Sequence, residues 1–280
     1  MFSSAIFRPS RPLGDIVETI WDLDIADGAA ARSFTLRALP TPYPLMSVHY
    51  RASMRAVGRL TSGSYRHIAF GIQTEAVTRQ ASGPLGVVMV RFKPEAAARI
   101  MGYEMNTFAG NHVALGDVFG ATEMSLLEEM LAEAKSAAER VARIEAFLLR
   151  HTRTDEVHPA VRLAVRCLQT DPRTSVTRLA RQLDISERHL SRRFHTMVGA
   201  SPKQFARVVR LVESLRLRRC GTTWADIAAA CGFTDQAHMI KDYRSMAGIP
   251  PEAFTRAALA ANHPLNGELG ESGFYNTFAV

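Results

Sequence analysis

The sequence is poor in cysteine: three in 280 residues, at Cys167, Cys220 and Cys231. Three is odd and no C-x-x-C pair occurs, so a disulfide framework is not expected. Each reads as a free, buried thiol. Reduced thiols fit a cytoplasmic protein. No apolar run nears the ~18 residues of a membrane span. The opening MFSSAIFRPSRPLGD lacks the apolar core of a secretory signal. Dinucleotide, Walker A, nucleophile-elbow and H-E-x-x-H signatures are all missing. No nucleophile–base pair is supported by spacing, so no catalytic residue, cofactor or metal is expected. His49, His67 and His112 have no short ligand spacing and no cysteine beside them, and read as structural or surface histidines.

Acidic residues thin out along the chain. Residues 1–156 carry 17 Lys+Arg and 17 Asp+Glu, whereas residues 157–280 carry 17 against 10, which is the whole net charge of +7. Such asymmetry suggests a polyanion partner for the basic half. A plain solvated basic domain is the competing reading.

Residues 1–150 read as a β-rich domain, a small barrel or sandwich. Strand candidates are Phe34–Leu39, interrupted by Pro40, Pro42 and Pro44, then Leu45–Tyr50, Tyr65–Phe70 and Val87–Phe92. Gly58, Gly63, Gly71, Gly83 and Gly86 read as turns. Pro94 is placed to open a short helix over 95–101 that stops at Gly102. From 121 to 149 the period becomes helical, with a bend near 132–138. That segment either packs on its own domain or forms a dimer helix. Residues 151–157 are polar and unpatterned, and read as a linker. A tail, 257–280, lacks periodicity and reads as disordered.

Residues 158–256 read as all-helical, around two helix-turn-helix signals. In the first, Ser175 can cap a helix from Val176 to Leu183, with Val176, Leu179, Ala180 and Leu183 inward. Asp184-Ile185 turns, and Ser186 can cap the next helix. Leu190, Phe194 and Met197 then face the core. Ser186, Glu187, Arg188, His189, Ser191, Arg192 and His195 are left for an exposed face that can enter a major groove ~12 Å wide. Gly199 ends that helix, and Ser201-Pro202 starts a connector of about 19 residues, ~28 Å at the α-helical rise. Reading heads in successive grooves need a separation of roughly 34 Å. In the second signal Thr223 caps Trp224–Ala230, with Ile227, Ala228 and Cys231 inward, and Gly232 turns. Thr234 is expected to cap the second reading helix, Asp235–Met246. Phe233, Met239, Ile240 and Tyr243 should pack. Thr234, Asp235, Gln236, His238, Lys241 and Asp242 remain for DNA or solvent.

Residues 158–256 resemble the DNA-binding domain of AraC/XylS-type transcription regulators. Leu179-Ala180, Ile185-Ser186, His189-Leu190, Phe194, Gly199, Ser201-Pro202, Ala228, Cys231-Gly232-Phe233, Asp235-Gln236, Gly248 and Pro251 carry the likeness. It implies seven helices, with base and phosphate contacts from Arg188, Ser191 and Arg192 in the first head and Asp235, Gln236, His238 and Lys241 in the second. Asp184 stands where glycine is common in the first turn. His238-Met239 and Tyr243 replace usual aromatics, and Glu213-Ser214 departs from the usual connector. The first half is similar, less specifically, to an N-terminal sensor or dimerisation domain of such regulators, through Val90–Pro94, Gly102 and Leu115–Gly120. The implied partners are double-stranded DNA, a small-molecule effector and a second copy of the chain, with no membrane. The alternative is a ligand-binding sensor whose DNA half is mainly a non-specific backbone clamp. A DNA-repair methyltransferase fused to such a domain would need cysteines in the first half, and residues 1–166 hold none.

Overall fold

A computed structural model describes residues 2–57, 66–253, 255 and 277–279. The N-terminal domain is a sandwich of two antiparallel sheets. Its strands are β1 (Phe2–Phe7), β2 (Val17–Ile25), β3 (Thr35–Ala38), β4 (Leu45–His49), β5 (Met54–Val57), β6 (His67–Phe70), β7 (Val77–Ala81), β8 (Leu85–Phe92) and β9 (His112–Ala114). One sheet runs β1-β2-β8-β4-β6-β9. The other is β3-β7-β5, edged by β10 (Thr277–Ala279) on β3. Helices α1 (Gly28–Ser33), α2 (Ala98–Met101), α3 (Leu115–Phe119), α4 (Ala121–Glu133) and α5 (Ala137–His151) complete the domain. The fold class is therefore a β-rich N-terminal domain followed by helices.

Alternation assigns each strand's faces. Trp21, Leu23, Ile25, Leu36, Met54 and Val87 fill the space between the sheets. Val88, Val90 and Phe92 point the other way, onto Ile144, Phe147 and Leu148 of α5. Gly86, expected in a turn, lies inside β8. A Cβ there would come within 2.4 Å of the Tyr50 ring, so it serves a close approach. The bend expected near 132–138 is extended backbone at Ala134 between α4 and α5, and Ser136 caps α5. Arg140 of α5 donates to both carboxylate oxygens of Asp22 on β2, at 2.7 and 2.8 Å. This buried pair ties α5 to its own sheet.

The linker segment is not loose. Arg153 N–H donates to Arg99 O at 2.8 Å, and Val157 is buried in the N-terminal core. Among the described residues the C-terminal half comprises α6 (Pro159–Thr170), α7 (Val176–Gln182), α8 (Glu187–Val198), α9 (Pro202–Arg219), α10 (Trp224–Ala230) and α11 (Gln236–Ala247). A helical turn follows at 251–253. Gly58, Gly63 and nearly all of the expected tail lie outside the described residues. The exception is β10, a strand where a disordered tail was expected. No helix among the described residues is long and apolar enough to cross a membrane. Cysteine burial departs from expectation: Cys231 is buried, Cys167 partly so, and Cys220 is exposed at the end of α9.

Candidate nucleic-acid interface

The two helix-turn-helix units are built alike. Ser175 Oγ accepts from Arg178 N–H and starts α7; Thr223 Oγ1 accepts from Asp226 N–H and starts α10. Each turn closes on a small residue: Ile185 N–H donates to Ala180 O at 3.1 Å, and Phe233 N–H to Ala228 O at 2.9 Å. Between them Asp184 and Gly232 take positive φ, 51° and 73°. Aspartate is among the few side chains that tolerate this region, so the departure at Asp184 leaves the turn intact.

The heads differ by one residue. Ala180, Asp184 and Ile185 correspond to Ala228, Gly232 and Phe233. Ser186, Leu190, Phe194 and Gly199 correspond instead to Asp235, Met239, Tyr243 and Gly248. Thr234 is the extra residue. Ser186 Oγ accepts from His189 N–H as expected, but in the second head Asp235 Oδ1 accepts from His238 N–H at 2.7 Å. Asp235, not Thr234, is thus the cap. The exposed Thr234 donates its N–H to His238 Nδ1.

In α8 the buried row is Leu190, Phe194 and Val198; Met197 is only partly buried. The row steps by four, so it continues to Val198. Ser186, Glu187, Arg188, Arg192 and His195 are exposed, and Ser191 is partly exposed. His189 turns back along the helix, its Nε2 accepting from Arg193 Nε at 2.6 Å. In α11 Met239 and Tyr243 are buried and Ile240 partly so. Asp235, Gln236 and Lys241 are exposed and His238 is partly exposed. Asp242 is not available: it is buried and accepts from Arg207 Nη2 at 2.9 Å. Exposed Arg244 was missed by the sequence reading; its signal was its correspondence with His195, once Thr234 is discounted. Arg192 and Lys241 correspond in the same way.

α9 holds both heads. Phe205 meets Phe194 edge-on, with centroids 5.5 Å apart. Two residues on, Arg207 bonds Asp242 and Ser245, and further along the Ser214 and Tyr243 hydroxyls share a hydrogen bond at 2.6 Å. Burial pushes the Tyr243 hydroxyl well above its ordinary pKa. Ser214 and Tyr243, two departures from the family pattern, thus compensate one another: a buried phenol needs a polar partner, and Ser214 is it. Both stay clear of the exposed faces.

The N-terminal domain touches the last turn of α8 and of α11. Arg37 of β3 donates through Nη2 to Ala247 O, and Ala76 N–H donates to Met246 O at 2.8 Å. Leu39 and Ile72 join the C-terminal hydrophobic core. At α8, Met105–Phe108 packs on the helix end, so close that a Cβ on Gly199 would lie 2.6 Å from Met105 O. These contacts leave Arg188, Arg192, Lys241 and Arg244 exposed.

Two family models match. Residues 179–257 match a helix-turn-helix domain, and residues 5–114 match a domain of unknown function, DUF6597. A search of curated proteins finds no match. Among solved structures, the C-terminal domain of AraT, a response regulator from Geobacillus stearothermophilus, is 20% identical with a TM-score of 0.35, covering 37% of this chain and 88% of its own. A singly substituted apo ToxT from Vibrio cholerae is 14% identical with a TM-score of 0.47, covering 84% and 95%. Wild-type ToxT bound to unsaturated fatty acid is 13% identical with a TM-score of 0.45, covering 85% and 93%. Residues 179–257 are an AraC-type helix-turn-helix domain.

Proposed function

We propose that the chain binds DNA sequence-specifically, with α8 and α11 in successive major grooves, and that the N-terminal domain controls this binding. The observation that carries the reading is the matched pair of heads on one helix. Each has a buried row locked to α9 and an outward face whose cations stand at corresponding positions, Arg192 with Lys241. At ~1.5 Å per residue, the 18 residues of α9 span about 27 Å. Together with the heads' own width, that suits two grooves on one side of a duplex. Ser186, Glu187, Arg188, Ser191, Arg192 and His195 are assigned to the first groove. Asp235, Gln236, His238, Lys241 and Arg244 are assigned to the second, with Thr234 at its edge. His189 is assigned to backbone positioning rather than base reading, because it is engaged by Arg193.

Selection of full-length protein on a randomised duplex pool tests this. Two short motifs one helical turn apart are expected. A single motif would favour the second reading, in which α11 clamps the backbone; the observation on its side is Ala237, which replaces the arginine found at the corresponding Arg188. Arg192→Ala should weaken binding to the selected site about tenfold or more, with unchanged thermal stability, because the side chain is exposed. Affinity should fall as salt rises. Equal affinity of Arg192→Ala and wild type would remove α8 from the interface.

A further inference from the structure

Strand β10 lies against β3, with Thr277 opposite Ala38, Phe278 opposite Arg37 and Ala279 opposite Leu36. Without it, β3 would be the outer strand of its sheet among the described residues. Hydrogen-bonding direction alternates along an antiparallel strand. Ala81 N–H donates to Phe34 O, so in the same register Leu36 and Ala38 also turn their N–H and C=O groups towards β7. Those of Thr35 and Arg37 face the other way, where β10 lies. Phe278 is therefore the residue of β10 that exchanges backbone hydrogen bonds with β3, and Arg37 is its partner. Arg37 is engaged a second time. Its guanidinium donates to Ala247 O in the last turn of α11, a helix end that favours a cation. Beside it Ala76, one residue ahead of β7, donates its N–H to Met246 O.

We propose that residues 277–279 are a latch, which by pairing with β3 of the same chain clamps the second head to the N-terminal domain. One residue carries the coupling: the backbone of Arg37 takes the strand, and its side chain takes the helix end. While the strand is seated, Arg37 is held between Thr78 of β7 and Phe278 of β10, with its guanidinium on α11. Once the strand leaves, β3 is a four-residue edge strand whose outward amides open more readily. β10 itself is three residues long, so it makes few backbone hydrogen bonds and can open without unfolding either domain.

The occupant of this edge is the chain's own segment and not that of a second copy. Ala247 and Phe278 both meet Arg37, so residues 248–276 have only the reach of one arginine to span. Fully extended, that length of chain covers about 100 Å. So slack a tether presents the strand at an effective concentration on the order of millimolar, far above that of a second copy in dilute solution. The composition agrees. Phe274 to Val280 holds no charge, and five of its seven residues are aromatic or β-branched, which suits pairing with an open edge. Any effect of the latch on DNA rests on the reading that the N-terminal domain controls binding.

Hydrogen exchange of the full-length protein, without DNA, tests the latch through the amides of Arg37 and Ala76. Phe278→Pro removes the N–H that β10 gives to β3, whereas Thr277→Pro removes one that faces away from it. Phe278→Pro, and a chain ending at Asn276, should each speed exchange about tenfold or more at Arg37 and at Ala76, with β8 as slow as in wild type. Thr277→Pro should exchange as wild type does. If Phe278→Pro also loosens β8, the shortened chain, which carries no new proline, supplies the comparison. Wild-type exchange in the shortened chain overturns the proposal, as does equal speeding by the two prolines. Faster exchange at Arg37 with Ala76 unchanged would leave the strand with no hold on the second head, and overturns it too. Protection of the wild type that is lost on dilution would place the strand on a second copy and overturn the latch within one chain. No DNA is present, so these outcomes do not depend on whether the heads read sequence.

Discussion

Gly199 and Gly248 end α8 and α11 in the same way, and replacing each by alanine separates backbone strain from docking. Both take positive φ, 84° and 75°. An alanine there costs roughly 1–2 kcal/mol for the left-handed backbone. At Gly248 little is added, since the new Cβ would lie 3.4 Å from the flexible end of Arg37. At Gly199 it would lie 2.6 Å from the backbone oxygen of Met105 in the N-terminal domain. A carbonyl within a packed turn cannot swing aside, and overpacking of this kind adds about 1–3 kcal/mol. Gly199→Ala should therefore destabilise by roughly 2–5 kcal/mol and Gly248→Ala by roughly 1–2 kcal/mol. Urea unfolding of the full-length proteins measures the difference, with unchanged m-values showing that the same surface unfolds. Losses equal to within about 0.5 kcal/mol would refute the reasoning, and with it the close docking of Met105 on the first head.

Three further outcomes follow from the same packing. Phe194→Ala should cost about 3–5 kcal/mol in urea unfolding, because the ring is fully buried against Phe205; a loss under about 1 kcal/mol would show that it is not core. Asp242→Ala should cost about 1–3 kcal/mol, and a double-mutant cycle with Arg207→Ala should show coupling; additive losses would mean the pair is incidental. Acidification should weaken folding between about pH 6.5 and about pH 4. The unfolded chain protonates its histidines at the ordinary value, while burial holds His49 and His112 neutral down to about 4. Their stability contribution is thus complete above the unfolded pKa and is lost as pH falls towards the folded one, by at most about 1.4 kcal/mol per pH unit for each histidine. Unfolding free energies that stay level across this window, measured on wild type and His49→Gln, would contradict it.

The parts legible in the sequence are those governed by neighbours a few residues apart. Ser175, Ser186, Ser201 and Thr223 cap their helices through N–H groups three residues on. Gly102, Gly199 and Gly248 end theirs in the left-handed conformation. Such signals depend on backbone geometry alone, so both heads could be placed before any tertiary contact was known. The second cap was misplaced because Thr234 and Asp235 are both competent, and only the fold shows which hydroxyl or carboxylate meets the orphan N–H. β2 was missed although Trp21, Leu23 and Ile25 alternate with Asp22 and Asp24. A buried Asp22 reads as an exposed one until Arg140 arrives from α5. What only the tertiary structure decided is which charges are spoken for. Asp242 is bound by Arg207, and Asp22 by Arg140. The docking of Arg37, Ala76 and Met105 on α8 and α11 belongs to the same class. Pairings between residues dozens to hundreds of positions apart leave no period in the sequence, because their register is set by the packing of whole sheets and helices.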